Sequence, residues 1–271
     1  MMSRNYTILQ LDKHTWRLED PFHTYLYLVE GTERAALIDC GNGFSGLGEA
    51  VASLTGKPVI AVLTHGHFDH TGCAALFPKC LIHPADQAVL EQGFAPAERA
   101  EQWERFCQLY QADLSSEERD FFLSVHAPKI TGALSDGQAL DLGGRTLEVI
   151  TTPGHTLGSV CLLDKIHGYL FSGDTACDNE VLVYFDHSAT VEDVLESDRK
   201  LLARRNEFVQ IWPGHHRSPL DAGILEDYVT AAQTVLADPA VGARVELPGG
   251  YKLLYAYKTI GISYCPGHVN K

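Results

Sequence analysis

The sequence predicts an α/β fold in which strands alternate with helices that cover the faces of a sheet. Its 271 residues, 45% of them hydrophobic, are enough to bury a sizeable core. A strand–helix–strand pattern appears early, with an apolar strand at residues 35–38, a helix over about 44–54 and a continuous apolar run at 59–63. Runs of this last type are typical of strands buried on both faces. Apolar strands return in the second half with helices between them.

The first forty residues are predicted to form strands. Residues 25–29 and 35–38 flank a Glu30-Gly31 turn and form a hairpin-like pair. Further helices are expected at residues 84–92, at 97–110 and after Ser115. Ser115 is followed three residues later by Glu118, which is the spacing of a capping box at a helix N-terminus.

The second half of the chain continues the alternation. Apolar runs of strand type lie at residues 147–151, 160–163, 169–171 and 209–212. A helix is predicted between the last two runs because five apolar side chains share one helical face: Val191, Val194, Leu195, Leu201 and Leu202. Ser218-Pro219 is predicted to begin another helix, with serine as the cap and proline in the first position. The tail at 249–271 is apolar and β-like, and either closes a sheet or contacts another subunit.

Composition narrows the classes of protein to which the chain can belong. No linker or low-complexity tract divides residues 1–271, so a single domain is predicted, with its oligomeric state left open. The formal charge of −14 repels polyanions and disfavours a nucleic-acid partner. No apolar stretch approaches the roughly 20 residues of a membrane helix, and the N-terminus lacks the apolar segment of a signal peptide. Seven cysteines without a CxxC pair are typical of reduced thiols, which predicts a cytoplasmic protein.

The most informative motif is the hexapeptide His65-Gly66-His67-Phe68-Asp69-His70. With this composition, about 0.002 chance matches to its pattern are expected in the whole chain, so it is not an accident. Side chains two residues apart at a strand end project to the same side, so His65 and His67 can hold one ion. The chain then turns, which directs Asp69 and His70 toward a second position. Imidazoles with a carboxylate suit Zn²⁺, Fe or Mn better than Ca²⁺ or Mg²⁺.

Further metal ligands are predicted downstream in matching contexts. His155, Asp174 and His215 each follow an apolar strand and a glycine, which lets the backbone approach a crowded centre. Residues 36–41 also resemble 170–175, since each is an apolar strand ending near an aspartate. Two halves of similar plan, each with polar groups at strand ends, are expected to surround one crevice.

From about Tyr25 to His215 the sequence resembles the metallo-β-lactamase-fold superfamily, which implies an αββα four-layer sandwich. Five landmarks carry the resemblance: Asp39 at a strand end, the hexapeptide, His155, Asp174 and His215. The resemblance implies two metal sites. Their ligands would be His65, His67 and His155 for one ion, Asp69, His70 and His215 for the other, and Asp174 as a bridge between them. Asp39 would orient a ligand imidazole through a hydrogen bond.

The ligand set predicts a dinuclear metal-dependent hydrolase, with two Zn²⁺ ions and with Fe or Mn as alternatives. Two ions about 3.5–4 Å apart can share a water and present a bridging hydroxide that cleaves a small ester, thioester, lactone or phosphoester. Asp69 is the predicted catalytic residue that orients this hydroxide or handles its proton. Two other functions stay open: an iron-dependent redox enzyme of the same fold, such as a persulfide dioxygenase, and a metal-binding protein without turnover.

Differences from the family pattern indicate which branch of the superfamily the sequence resembles. The true β-lactamases of the superfamily have cysteine or serine where Asp174 stands, so the glyoxalase II and lactonase-like branches are favoured. Glyoxalase II, however, usually has Glu-Tyr where His216-Arg217 stands, and the lactonases have a tyrosine soon after the equivalent of Asp174. The identity of the small-molecule substrate therefore stays open. His216 and His23 are candidates for contacting the substrate or a ligand residue.

A long, aromatic-rich segment follows the first metal motif at residues 94–126. It is predicted to be a helical insertion. One hypothesis makes it a flap over the metal site, in which Trp103 and Phe106 form an apolar wall for the substrate. The alternative is an extra helical layer that packs as core.

Overall fold

A computed structural model describes residues 5–247 and 250–271. The chain divides into two compact units, which are described separately. Unit 1 contains the residues up to Leu134 together with Ala139–Leu147, and unit 2 contains Ser135–Gln138 and Glu148–Lys271. The single-domain prediction is not tested by this division and stays a prediction. Within the described ranges, each helix is too short or too polar to cross a membrane.

Unit 1 is built on a sheet whose strands follow one another in chain order from β1 to β7. The first four strands pair antiparallel, and β4 to β7 pair in parallel. The strands of unit 1 are β1 (Thr7–Asp12), β2 (Thr15–Glu19), β3 (Tyr25–Glu30), β4 (Ala35–Ile38), β5 (Val59–Val62), β6 (Cys80–Ile82), β7 (Gly132–Ala133) and β8 (Ala139–Asp141). The helices are α1 (Leu47–Leu54), α2 (Phe68–Thr71), α3 (Gln87–Gly93), α4 (Pro96–Tyr110) and α5 (Ser116–Ser124).

Unit 2 contains two sheets and two long helices. The first sheet has the order β14-β13-β11-β10-β9, and the second has the order β12-β17-β16-β15. The strands are β9 (Thr146–Thr151), β10 (Val160–Asp164), β11 (Tyr169–Gly173), β12 (Glu180–Val183), β13 (Gln210–Pro213), β14 (Leu220–Asp221), β15 (Ala243–Leu247), β16 (Gly250–Tyr257) and β17 (Ile260–Tyr264). The helices α6 (Val191–Leu202) and α7 (Ile224–Ala237) pack against each other.

Helix α6 shows how the sequence determines an element. Thr190 and Asp193 form a reciprocal capping box that satisfies backbone N–H groups at the N-terminus. Val191, Val194 and Leu201 are buried on one face and join the core of unit 2. The apolar periodicity and the cap therefore agree, and the predicted helix is confirmed.

The helical insertion is an integral layer of unit 1. Trp103 of α4 and Phe122 of α5 are buried, and their ring centroids lie 5.1 Å apart. Phe22 and Phe44, from the loops next to β3 and β4, pack on the same group, and their centroids are 4.8 Å apart. Because these aromatic residues are shared with the core of unit 1, the packing favours the core-layer alternative over a flap.

Most predicted elements are confirmed, and the α/β class with them. The helix predicted at Ser218-Pro219 is wrong, since these residues lead into β14, and α7 begins only at Ile224. The capping box at Ser115 is half formed. Ser115 accepts from the Glu118 backbone N–H, whereas the Glu118 carboxylate accepts from Ser45. The β-like tail forms β16 and β17 of the second sheet, and Gly249 lies outside the described residues.

The interior of unit 2 contains a carboxyl group in an unusual position. Asp198 of α6 is fully buried, and neither carboxylate oxygen has a hydrogen-bond partner within the described ranges. Burial raises the pKa of Asp198 well above its usual range. The folded state therefore holds the Asp198 proton more tightly than the unfolded state does. The stabilisation that results from this difference is fully present below pH about 4 and is lost as the pH rises.

Replacing Asp198 therefore has an effect that depends on pH. We expect the free energy of unfolding of Asp198→Leu, relative to wild type, to increase between pH 4 and 7 by up to about 1.4 kcal/mol per pH unit. Urea unfolding at a series of pH values measures this difference. Asp186→Leu, at an exposed position of the same unit, is the control and should show no such trend. A constant difference for Asp198→Leu would contradict the burial argument.

Candidate metal centre

In unit 1, polar residues follow the ends of two neighbouring strands. Asp39 comes directly after β4, and Thr64-His65 follow β5 after one further apolar residue. The two strands are parallel, with Ile38 opposite Val62. Their carboxyl ends therefore lie at the same edge of the sheet, which brings these side chains together.

Three imidazoles of the hexapeptide lie close to one another. His65 Nε2 is 3.1 Å from His67 Nδ1, and the ring centroids of His65 and His70 are 4.1 Å apart. His65 and His70 are buried, and His67 is half-buried. Such crowding would be strongly unfavourable if the rings were protonated, because the like charges would repel in a poorly solvated site. The cluster is therefore suited to neutral imidazoles that share a cation.

Asp39 determines how His70 is oriented. Its Oδ2 accepts from the Thr64 hydroxyl and lies 2.8 Å from His70 Nδ1, and its Oδ1 accepts from the Thr64 backbone N–H. Because a carboxylate can only accept, a neutral His70 carries its proton on Nδ1 and its lone pair on Nε2. The Nε2 atom faces Asp69, whose Oδ2 is 3.9 Å away. Asp39 therefore contacts the remote nitrogen of His70, and its role in orienting a metal ligand stays a prediction.

In unit 2, three predicted ligands come together at one edge of the first sheet. His155 follows β9, Asp174 follows β11 and His215 follows β13, and these three strands run in the same direction. Asp174 lies between the two imidazoles. Its Oδ2 is 3.6 Å from His155 Nε2, and its Oδ1 is 3.8 Å from His215 Nε2. Each carboxylate oxygen therefore faces a different ring.

His155 is held in the same way as His70, but by a backbone group. Its Nδ1 lies 2.9 Å from the carbonyl oxygen of Leu182 in β12, and Ser188 donates to the His155 carbonyl. Since a carbonyl oxygen accepts, Nδ1 of His155 is protonated and Nε2 presents its lone pair toward Asp174. A backbone carbonyl is a frequent partner of the remote nitrogen in metal-ligating histidines.

The donor sets of both units fit metal ions. Zinc binds histidine nitrogen and carboxylate oxygen at about 2.0–2.2 Å, which places two ligand atoms about 3.4 Å apart in a tetrahedral site. The pairs His65–His67, His70–Asp69, His155–Asp174 and His215–Asp174 span 3.1–3.9 Å. These separations are too long for strong hydrogen bonds in the last three pairs. They are compatible with a metal ion that is coordinated by both atoms of a pair.

The two remaining candidate histidines, His23 and His216, each have a polar neighbour that is not a predicted metal ligand. His23 has a positive φ of 60° and a largely exposed ring, which lies 2.6 Å from Glu19 Oε1 and packs on Tyr110. His216 lies 3.3 Å from the Asn179 side-chain amide. Burial, followed by the charge of neighbouring His215, lowers the pKa of His216. Both remain predictions as contacts of the substrate.

Two positioning contacts were not predicted from the sequence. Asp86 is buried and accepts from the Gly66 backbone N–H at 2.8 Å, which holds the turn between His65 and His67. The Leu182 carbonyl that orients His155 belongs to a strand that had not been predicted. Both are contacts between segments 20 or more residues apart, so no local pattern could reveal them.

Comparison with known proteins places this geometry in a family. A family model described as the metallo-beta-lactamase superfamily matches residues 20–215, which is more than half of the 271 residues. The chain belongs to the metallo-beta-lactamase superfamily. The resemblance inferred from the hexapeptide and the strand-end residues is thereby confirmed.

Relatives of this superfamily protein include named hydrolases. The acyl-coenzyme A thioesterase MBLAC2 of Gallus gallus is 30% identical over 204 residues, which are 70% of this chain and 71% of that protein. BaeB of Bacillus velezensis, a probable polyketide biosynthesis zinc-dependent hydrolase, is 31% identical over 156 residues, which are 57% of this chain and 55% of that protein. The chain is accordingly a metal-dependent hydrolase of the superfamily.

Solved structures support the same fold. A metallo-beta-lactamase family protein from Thermus thermophilus has a TM-score of 0.62 and 22% sequence identity, and the match covers 87% of this chain and 85% of that one. At this identity the likeness shows the fold alone. The predicted fold class is confirmed by it.

The contact between Asp39 and His70 leads to a test in this superfamily protein. Asp39→Asn keeps the shape of the side chain but removes the charge that stabilises the protonated Nδ1 of His70. We expect zinc affinity to fall 10- to 100-fold, as is typical when the partner of a ligand imidazole is changed. Competition with a chromogenic chelator measures the affinity. Asp113→Asn, at an exposed position of the same unit, is the control, and equal affinities in both variants would show that Asp39 has no orienting role.

Proposed function

We propose that the protein is a dinuclear zinc thioesterase that acts on acyl thioesters of the coenzyme A type. One ion would be held by His65, His67 and His155. The other would be held by Asp69, His70 and His215. Asp174 would contact both ions.

The observation that carries the proposal is the position of Asp174 between two imidazoles. Its two oxygens face the Nε2 atoms of His155 and His215 at 3.6 and 3.8 Å. A carboxylate whose oxygens are divided in this way suits two ions better than one, because each oxygen has its own nitrogen partner. The name of BaeB as a zinc-dependent hydrolase supports zinc as the metal.

Zinc ions bound at this centre would supply Lewis acidity toward the thioester carbonyl and activation of a water molecule. Side chains of the protein would accept the proton and keep the ligand imidazoles in the required tautomer. Asp69, a partly exposed carboxylate next to His70, would accept the proton that the attacking water loses. His70 and His155 would stay in one tautomer, because Asp39 and the Leu182 carbonyl hold their Nδ1 protons.

The chemistry of thioester cleavage is compatible with a nucleophile that comes from solvent. A thiol ionises with a pKa near 8.5, so the thiolate leaves without a strong general acid. The thiol of Cys177, which is near Asp174 in sequence, does not serve as a nucleophile, because burial raises its pKa to about 12. The attacking group would therefore come from solvent. The name of MBLAC2 as an acyl-coenzyme A thioesterase supports this substrate class.

The proposal also includes the compartment. All seven cysteines are unpaired, and five of them are buried. Unpaired thiols persist in a reducing environment, which supports a cytoplasmic location. The net charge of −14 disfavours nucleic acid as a partner and is compatible with a small-molecule substrate.

The proposal is tested by metal analysis combined with a substrate panel. Protein purified without added metal should contain two zinc ions per chain and hydrolyse acyl-coenzyme A faster than lactones, phosphodiesters or a chromogenic lactam. Asp174→Ala should lose at least one ion and reduce kcat by at least 100-fold, whereas Asp186→Ala, at an exposed position, should match wild type. Retention of the full rate by Asp174→Ala would refute the bridging role. One iron per chain with persulfide-dependent oxygen uptake would replace the hydrolase by the redox alternative.

A further inference from the structure

The helical insertion carries a cation in an unexpected place. Arg99 of α4 is 1% exposed, and the other buried residue of this helix is Trp103. Its guanidinium lies 3.6 Å from the centroid of the Phe122 ring, and Phe68 and Phe94 are each 5.9 Å away. Removing an arginine from water costs several kcal/mol unless its surroundings compensate for the lost hydration. A buried arginine in a mainly aromatic environment therefore calls for a specific role.

The hydrogen bonds of Arg99 link the insertion to the loop after β4. Its Nε and Nη2 donate to the Phe122 carbonyl at 3.2 and 2.7 Å, and Nη2 also donates to the Asn42 carbonyl at 2.9 Å. Gly43 leaves the space for this contact, since a Cβ there would lie 2.7 Å from Nη2. Gly43 has a φ of 105°, so other residues would be strained at this position. The loop at residues 39–43 is thus shaped around the guanidinium.

The same loop holds helix α2, which carries Asp69 and His70. The Gly72 N–H donates to the Gly41 carbonyl, and the Cys40 N–H donates to the His70 carbonyl, both at 2.7 Å. A Cβ on Gly72 would overlap the Asn42 carbonyl, so the two segments are in direct contact. The Asn42 carbonyl is therefore enclosed between Arg99 and the end of α2.

Arg99 keeps its positive charge although its side chain is buried. Burial lowers its pKa to about 10, and the charges of Cys73 and Asp69 oppose this effect. Arg99 therefore remains protonated at neutral pH. Burial raises the pKa of Cys73 to about 12, so Cys73 is a neutral thiol at neutral pH. One nitrogen, Nη1, has no hydrogen-bond partner within the described ranges.

We propose that Arg99 is a positioning residue for the Asp69–His70 half of the site. It would fix the loop at 39–43 against α2, and its buried guanidinium lies 5.9 Å from the ring of Phe68, the first residue of that helix. The insertion would then serve as a brace for the metal motif. This inference rests on the proposed function to the extent that Asp69 and His70 are taken as metal ligands.

The test compares Arg99 with a neighbour in the same core. Arg99→Met keeps much of the side-chain volume and removes the charge and the hydrogen bonds. Trp103→Leu removes core packing from the same helix, and Trp103 has no hydrogen bond to the Asn42 loop in the contacts described above. Both variants should have a lower Tm than wild type. Only Arg99→Met should increase amide hydrogen exchange in α2 of the metal-free protein, by at least tenfold.

Zinc binding provides a second readout. Chelator competition should show that Arg99→Met weakens one of the two zinc ions at least tenfold and leaves the other unchanged, with a fall in kcat and little change in KM for the thioester. Trp103→Leu should retain both zinc affinities. If Arg99→Met does not fold, Arg99→Lys, which keeps the charge but not both carbonyl contacts, should show the same increase in α2 exchange. Equal effects of the Arg99 and Trp103 variants on exchange and on zinc affinity would overturn the proposal.

These readouts separate the two proposals. If wild type binds two zinc ions and hydrolyses no thioester, the substrate assignment fails while the exchange and affinity results still decide the role of Arg99. If thioester hydrolysis is found and Arg99→Met behaves like Trp103→Leu, the positioning role fails alone.

Discussion

The buried carboxylate of Asp39 is the interaction on which the rest of the unit 1 site depends. It accepts from the backbone and hydroxyl of Thr64 and contacts Nδ1 of His70, so it links the ends of β4 and β5 to helix α2. Asp39 adopts a φ of 61°, a left-handed conformation that aspartate tolerates better than most residues. A buried carboxylate is stable only when its oxygens are satisfied. The network therefore fixes both the path of the chain and the imidazole that it orients.

In both units a buried histidine is oriented by a hydrogen-bond acceptor, but the acceptor group differs. In each, apolar buried strands end at one sheet edge and present histidine and aspartate there. The remote nitrogen of a buried histidine is held by an acceptor, which is the Asp39 carboxylate for His70 and the Leu182 carbonyl for His155. An acceptor at Nδ1 leaves the lone pair on Nε2, which is the state required of a metal ligand. These contacts would hold the predicted ligands in that state before an ion binds.

How well the sequence predicted each part of the structure depends on how far apart in the chain the interacting residues lie. The strands before His65, Asp174 and His215 have strong apolar runs, and their polar ends could be recognised one by one. In the second sheet of unit 2 the β-like tail was predicted, but β12 was not, because it pairs with β17 about 80 residues later. The helix predicted at Ser218 failed because a local cap signal was overridden by the pairing of β14 with β13. Arg99 was missed because an arginine in a polar helix usually faces water.

The central proposal is that the predicted histidine and aspartate ligands hold two ions. Anomalous diffraction from crystals of the zinc-loaded protein, collected on both sides of the zinc absorption edge, tests it most directly. The account predicts two peaks at about 2.0–2.2 Å from their ligand atoms. One peak would contact His65, His67 and His155, the other would contact Asp69, His70 and His215, and Asp174 would reach both. A single peak, or two peaks that each contact the ligands of one unit only, would contradict the account.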